Sequence, residues 1–207
     1  KHGSTVTKLV TSCYYLTLHL LSSDFASSFE RNQRWTIRQF FNIKMKMKKK
    51  INCFIPFGTP EDTMQTVKEL QVSELVNKIY LLGSEPGKKA LPGCEYLSVK
   101  GFYSTDTMKT IAANANTEYT LFYLKQTPLK LGLYALERMV QIMENDKKNG
   151  IVYADHYQLI NGELKQAPVI DYQLGSVRDD FDFGSMLLFS SSAFTKIADA
   201  LREEYKY

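Results

Sequence analysis

The chain has 207 residues, 44% of them apolar and 23% charged, the make-up of a globular chain with room for one sizeable core. Its formal net charge of +4 is unevenly spread: residues 1–50 carry ten Lys/Arg against two Asp/Glu (+8), leaving sixteen against twenty (−4) for residues 51–207. Three cysteines without CxxC spacing and three histidines leave too little material for a disulfide framework, a zinc site or a His-centred triad.

Residues 1–47 form a stretch of their own, rich in Ser and Thr, without proline, and without glycine after Gly3. Met45 and Met47 stand directly before a strong strand signal, so the preceding residues read as an upstream or artificially added extension. The other reading is an amphipathic arm. Trp35, Ile37, Phe40, Phe41 and Ile43 lie among Arg31, Arg34, Arg38 and Lys44, a pattern suited to peripheral contact with a membrane surface. No stretch is apolar for long enough to span a bilayer. The basic excess is confined to this segment, and no nucleic-acid partner is expected of the body.

From Lys50 the pattern is regular. Ile51 to Phe57 is a buried strand stopped by Pro56 and Gly58. Thr59 then caps a helix with Pro60 in its first turn and Glu61 and Asp62 at its positive end, running to about Val72. Lys78 to Leu82 is a second strand and Glu95 to Val99 a third. Ser104 caps a helix from Thr105 to Ala115, which leads into the strand Tyr119 to Leu124. That strand ends abruptly in Lys125-Gln126-Thr127-Pro128. An amphipathic helix is expected from Leu129 to Asn145, with Leu133, Leu136, Met139, Val140 and Met143 on one stripe. Ile151 to Ala154 is a strand, Asn161-Gly162 marks a type I′ hairpin, Ser185 to Phe189 is a last strand, and Ser192 caps a final helix. Strands alternating with helices imply an α/β fold: a mostly parallel sheet with helices on both faces, made mixed by the hairpin.

In such a sheet ligands bind at the carboxyl ends of central strands, which directs attention to Leu124 through Thr127. There is no GxGxxG, no Walker loop and no GxSxG elbow, so dinucleotide, P-loop and serine-hydrolase readings fail. A nucleotidyltransferase would need a longer Gly-rich loop than Gly58-Thr59-Pro60. Among the acidic residues, Arg178-Asp179-Asp180-Phe181-Asp182 reads either as an ion pair with turn caps or as a ligand-contacting group. Asp155, closing a strand, has the same two readings.

The order of elements over residues 48–207 resembles the nucleotide-sugar half of family 2 glycosyltransferases, which have the GT-A fold. Ala115-Asn116-Thr117-Glu118-Tyr119 is similar to the family's A-x-G-E-Y helix end, and Ile151-Val152-Tyr153-Ala154-Asp155 to its later strand. Tyr172 through Gly184 looks like the signature of a bacterial subgroup. The resemblance implies a nucleoside diphosphate sugar as donor and a glycan or lipid-linked acceptor. It also implies a cytoplasmic location, with the inner face of the membrane in reach, in keeping with the reducing compartment that the cysteine usage suggests. It implies donor contacts from Pro56, Phe57, Glu85, Lys109, Lys125, Gln126, Asp155 and Arg178, with Asp179 and Asp180 as catalytic candidates. The family's catalytic base follows a segment like Glu203 to Tyr207, where this sequence stops. The resemblance thus implies a base and an acceptor site outside it.

One departure stands out. Where the family has Asp-x-Asp holding Mn²⁺ or Mg²⁺, this chain has Leu124-Lys125-Gln126. Three readings follow: a cation held by Asp155, Asp180 or their neighbours; Lys125 or Lys109 neutralising the diphosphate without metal; or a GT-A-like binding module without catalysis.

Overall fold

The computed structural model describes residues 6–8 (backbone only), 49–85, 91–146, 148–170 and 181–202. The basic arm with Trp35, Phe40 and Phe41, the two methionine starts, the segment 203–207, and Arg178, Asp179 and Asp180 lie outside the described residues.

In chain order the elements are β1 (Val6–Lys8), β2 (Ile51–Pro56), α1 (Pro60–Gln71), β3 (Val76–Gly83), β4 (Glu95–Ser98), α2 (Thr105–Asn114), β5 (Tyr119–Tyr123), β6 (Leu129–Lys130), α3 (Ala135–Asn145), β7 (Ile151–Tyr153), β8 (His156–Ile160), β9 (Glu163–Ala167), β10 (Met186–Ser190) and α4 (Ser191–Ala200). Two of the three predicted caps are present. Thr59 Oγ1 accepts from Asp62 N at 3.2 Å, and Ser104 Oγ accepts from Thr107 N at 3.2 Å. Each satisfies one of the amide groups that a helix start leaves without an internal partner.

The main sheet has six strands in the order β4-β3-β2-β5-β10-β7. The first three pairings are parallel, and β10 runs antiparallel to both of its neighbours. The fold is therefore mixed α/β with a mostly parallel sheet. The mixing comes from β10 and not, as expected, from the Asn-Gly hairpin. That hairpin, β8 and β9, belongs to a second sheet of order β6-β1-β8-β9. Its turn residues Asn161 and Gly162 have φ of 52° and 85°, the positive values that a type I′ turn needs at both positions.

Helices cover both faces of the six-stranded sheet. On one, Phe54, Tyr80, Leu82 and Phe122 pack with Ile111 of α2 and Phe194 of α4. The Phe54 and Tyr80 rings stack at 4.8 Å, and Phe122 meets Phe194 at 5.1 Å. Side chains alternate along a strand, so Cys53, Ile55, Leu81 and Leu121 point the other way. That face is covered by the buried sides of α1 (Val67, Leu70) and α3 (Leu136, Met139, Val140, Met143).

Two helix starts differ from expectation. The amphipathic helix begins at Ala135, because the Leu129 and Leu131 amides donate to Thr66 Oγ1 (3.1 Å) and Glu69 Oε1 (2.9 Å) of α1. Leu129–Lys130 is thereby drawn into β6, and Leu133 is 73% exposed and not on the buried stripe. The last helix begins at Ser191, so Ser192 lies inside the first turn, its hydroxyl 3.1 Å from that of Ser190 at the cap position.

Candidate functional site

From β2 the chain steps outward to β3 and β4, then returns to β5 on the other side of β2. Such a reversal opens a crevice at the carboxyl ends of the two strands it separates. Phe54 and Phe122 are level across this pair, so Pro56-Phe57-Gly58 and Leu124-Lys125-Gln126 leave the sheet side by side.

The loop after β5 is shaped by Tyr123, whose buried hydroxyl donates to the Thr127 carbonyl at 2.9 Å and folds the chain back. Leu124 packs against the aromatic cluster, and its amide donates to the Ser185 carbonyl at 2.9 Å. Lys125 and Gln126 are exposed. Gln126 Nε2 reaches the Phe57 carbonyl at 3.4 Å, a long hydrogen bond. Below it the two loops touch: a Cβ built on Gly58 would lie 3.0 Å from the Gln126 carbonyl oxygen. Phe57 is half-buried and presents its ring to the edge of Tyr96, with centroids 6.0 Å apart.

Four of the sequence-derived residues, Pro56, Phe57, Lys125 and Gln126, thus stand side by side at the carboxyl ends of β2 and β5. Glu85 is exposed beyond β3. Lys109 lines a different cleft, of about 350 Å³, at the carboxyl end of β4, with Ser98, Lys100, Asp106, Thr107 and Thr110. Lys100 there lies 3.7 Å from the Asp106 carboxylate. Asp155 is exposed in the turn between β7 and β8, and its Oδ1 accepts from Val169 N at 2.8 Å. Asp182 in the same way accepts from Gly184 N at 2.7 Å. Each of these two carboxylates is therefore already braced on backbone.

Two neighbours escaped sequence reasoning. His156 and Ser185 are buried, and neither His156 Nδ1 nor Ser185 Oγ has a hydrogen-bond partner among the described residues. Burial lowers the proton affinity of His156; the Asp182 carboxylate opposes that, the Lys125 charge reinforces it, and Asp155 opposes it. The side chains around the end of β5 therefore act on a common electrostatic field. No periodicity points to this pair. Ser185 meets Leu124 only because β10 pairs with β5, a long-range contact. Neither described cysteine offers a thiolate at neutral pH, because burial pushes Cys53 far up and Cys94 to about 11.

The GT-A resemblance implies Mn²⁺ or Mg²⁺, and such cations want several hard oxygen ligands. Leu124 offers none, and Gln126 offers one amide oxygen. Asp155 and Asp182 have each committed an oxygen to a backbone amide. No three His, Cys, Asp or Glu side chains gather into a metal-holding group among the described residues. These described residues do not fit the cation; Asp179 and Asp180, the other carboxylates considered for it, lie outside them.

No protein-family model matches the sequence, and neither a curated protein nor a solved structure matches it. Among the described residues, no helix is long and apolar enough to cross a membrane.

Proposed function

We propose that residues 48–207 form the donor-binding part of a glycosyltransferase with the GT-A plan. It binds a nucleoside diphosphate sugar and passes the sugar to a glycan or lipid-linked acceptor. The observation that carries this reading is the strand reversal at β2 and β5, which brings Pro56, Phe57, Lys125 and Gln126 side by side at a sheet's carboxyl edge. Phe57 and Tyr96 supply a ring surface for a flat base, and Lys125 supplies positive charge for a diphosphate. Transfer is a direct displacement at the anomeric carbon. The acceptor hydroxyl gives its proton to a general base, its oxygen forms the new bond as the bond to the diphosphate oxygen breaks, and the nucleoside diphosphate leaves; stabilising that leaving group supplies much of the rate.

Calorimetric titration of the full chain with UDP, GDP and their common hexose conjugates tests the reading, with and without Mg²⁺ or Mn²⁺. Saturable binding of one nucleotide series is expected. A folded chain that binds none of them rules the reading out.

A second reading, a GT-A-like module that binds without catalysis, draws on the contact between Gly58 and Gln126, which closes the floor of the crevice. It predicts nucleotide-sugar or glycan binding without turnover when donor and acceptor are supplied together.

A further inference from the structure

Resting on the donor-binding reading, we infer that this site takes the donor's diphosphate on the ammonium group of Lys125 and uses no divalent cation there. Two observations lead to it. First, the two positions flanking Lys125 are unsuited to a cation: Leu124 is packed into the aromatic cluster and Gln126 is turned towards the Phe57 carbonyl. Second, Lys125 is exposed at the carboxyl end of β5 and forms no ion pair among the described residues. Asp155 and Asp182, whose charges act on His156 as that of Lys125 does, accept from the amides of Val169 and Gly184.

A lysine ammonium and a dication compete for the same role. Each neutralises phosphate oxygens, and each repels the other when both stand at the end of one strand. A lysine meets phosphate as a point charge with three rotatable donors, so it tolerates the loose geometry of an exposed loop. An octahedral cation does not, because it demands ligands at fixed positions. The loop after β5 has the charge for the first solution and lacks the ligands for the second.

The test is titration of the full chain with UDP and with GDP, in excess EDTA and in millimolar Mg²⁺ or Mn²⁺, for the wild type, Lys125→Gln and Lys125→Arg. Circular dichroism checks the fold of each. The expected result is wild-type affinity changed by less than about twofold between EDTA and metal. Lys125→Gln should lose about tenfold or more, the worth of one charged contact. Lys125→Arg should retain most of the binding. Nucleotide binding that appears only with metal overturns the inference and leaves the donor-binding reading standing. Metal-free binding that Lys125→Gln leaves unchanged overturns the role of Lys125. Failure of the folded wild type to bind either nucleotide under any condition overturns the donor-binding reading, and this inference with it.

Discussion

The two ends of the six-stranded sheet are built on opposite principles. At the amino end, polar groups satisfy one another. Asn52, fully buried, donates through Nδ2 to the Asn114 carbonyl (2.9 Å) and to Asn116 Oδ1 (2.7 Å), and accepts from Asn77 Nδ2 at 2.9 Å. Lys50 pairs with Glu144 and lies 3.5 Å from Glu118, which ties the starts of β2 and β5 to the end of α3. At the carboxyl end, Lys125 has no ion pair among the described residues, two buried polar atoms lack partners there, and a glycine is needed for the loops to pass. One end commits its polar groups to the fold. The other braces Asp155 and Asp182 on backbone but leaves Lys125, His156 Nδ1 and Ser185 Oγ without partners among the described residues.

This contrast is tested first where it should be largest. Asn52→Ala removes three hydrogen bonds and strands buried partners, so we expect a loss of about 3 kcal/mol in chemical denaturation. A loss under about 0.5 kcal/mol would mean that the amino end is not knitted as described. Next, Gly58→Ala forces a methyl group against the Gln126 carbonyl. A cost of about 1 kcal/mol is expected from overpacking, with weaker nucleotide binding if the crevice depends on that close approach. Equal stability and equal binding would show that the two loops move apart freely.

The two lysines sharpen the comparison further. Lys50→Met should cost about 0.5 to 1 kcal/mol, a discounted figure because its ion pairs are partly solvated. Lys125→Gln should change stability by less than about 0.5 kcal/mol. Equal costs, measured as denaturation midpoints, would erase the distinction between a structural and an available charge. The smallest effect is a slope. His156 has a lower proton affinity folded than unfolded, so the unfolded chain binds more protons as pH falls below about 6.5. Stability should be fully present above that value and decline as pH drops towards the folded pKa. Replacing His156 with Gln should flatten thermal midpoints over that window, and an unchanged slope would place the acid sensitivity elsewhere.

Much of the fold was legible because it is written locally. Apolar runs of strand length, Thr59 and Ser104 caps, and Asn161-Gly162 each act within a few residues, and each appears where expected. What escaped depends on distant partners. The Leu129 helix start failed because Thr66 and Glu69, some sixty residues earlier, take its first amides. The hairpin was recognised but its sheet was not, since nothing near Tyr157 says which strand will pair beside it. The site divided along the same line. Pro56, Phe57, Lys125 and Gln126 are strand-end residues, legible from punctuation alone. Ser185 joins them only through the antiparallel pairing of β10 with β5, and His156 lies on β8, in the other sheet. Asp155 shows the reverse case: a carboxylate that suggested a ligand contact holds the Val169 amide.

The hairpin also bears on which strand pairings its outer edge permits. β9 forms the outer edge of the second sheet, with Glu163, Leu164, Lys165 and Gln166 all exposed. An uncovered edge offers its free amides and carbonyls to any extended chain, including another copy of the same protein. Opposite charges two residues apart, at Glu163 and Lys165, lie on one face of that edge. A second copy stacking in register and parallel would set like charge against like. The pair therefore disfavours a parallel, in-register neighbour, whereas an antiparallel strand centred on exposed Leu164 would set Glu163 opposite Lys165.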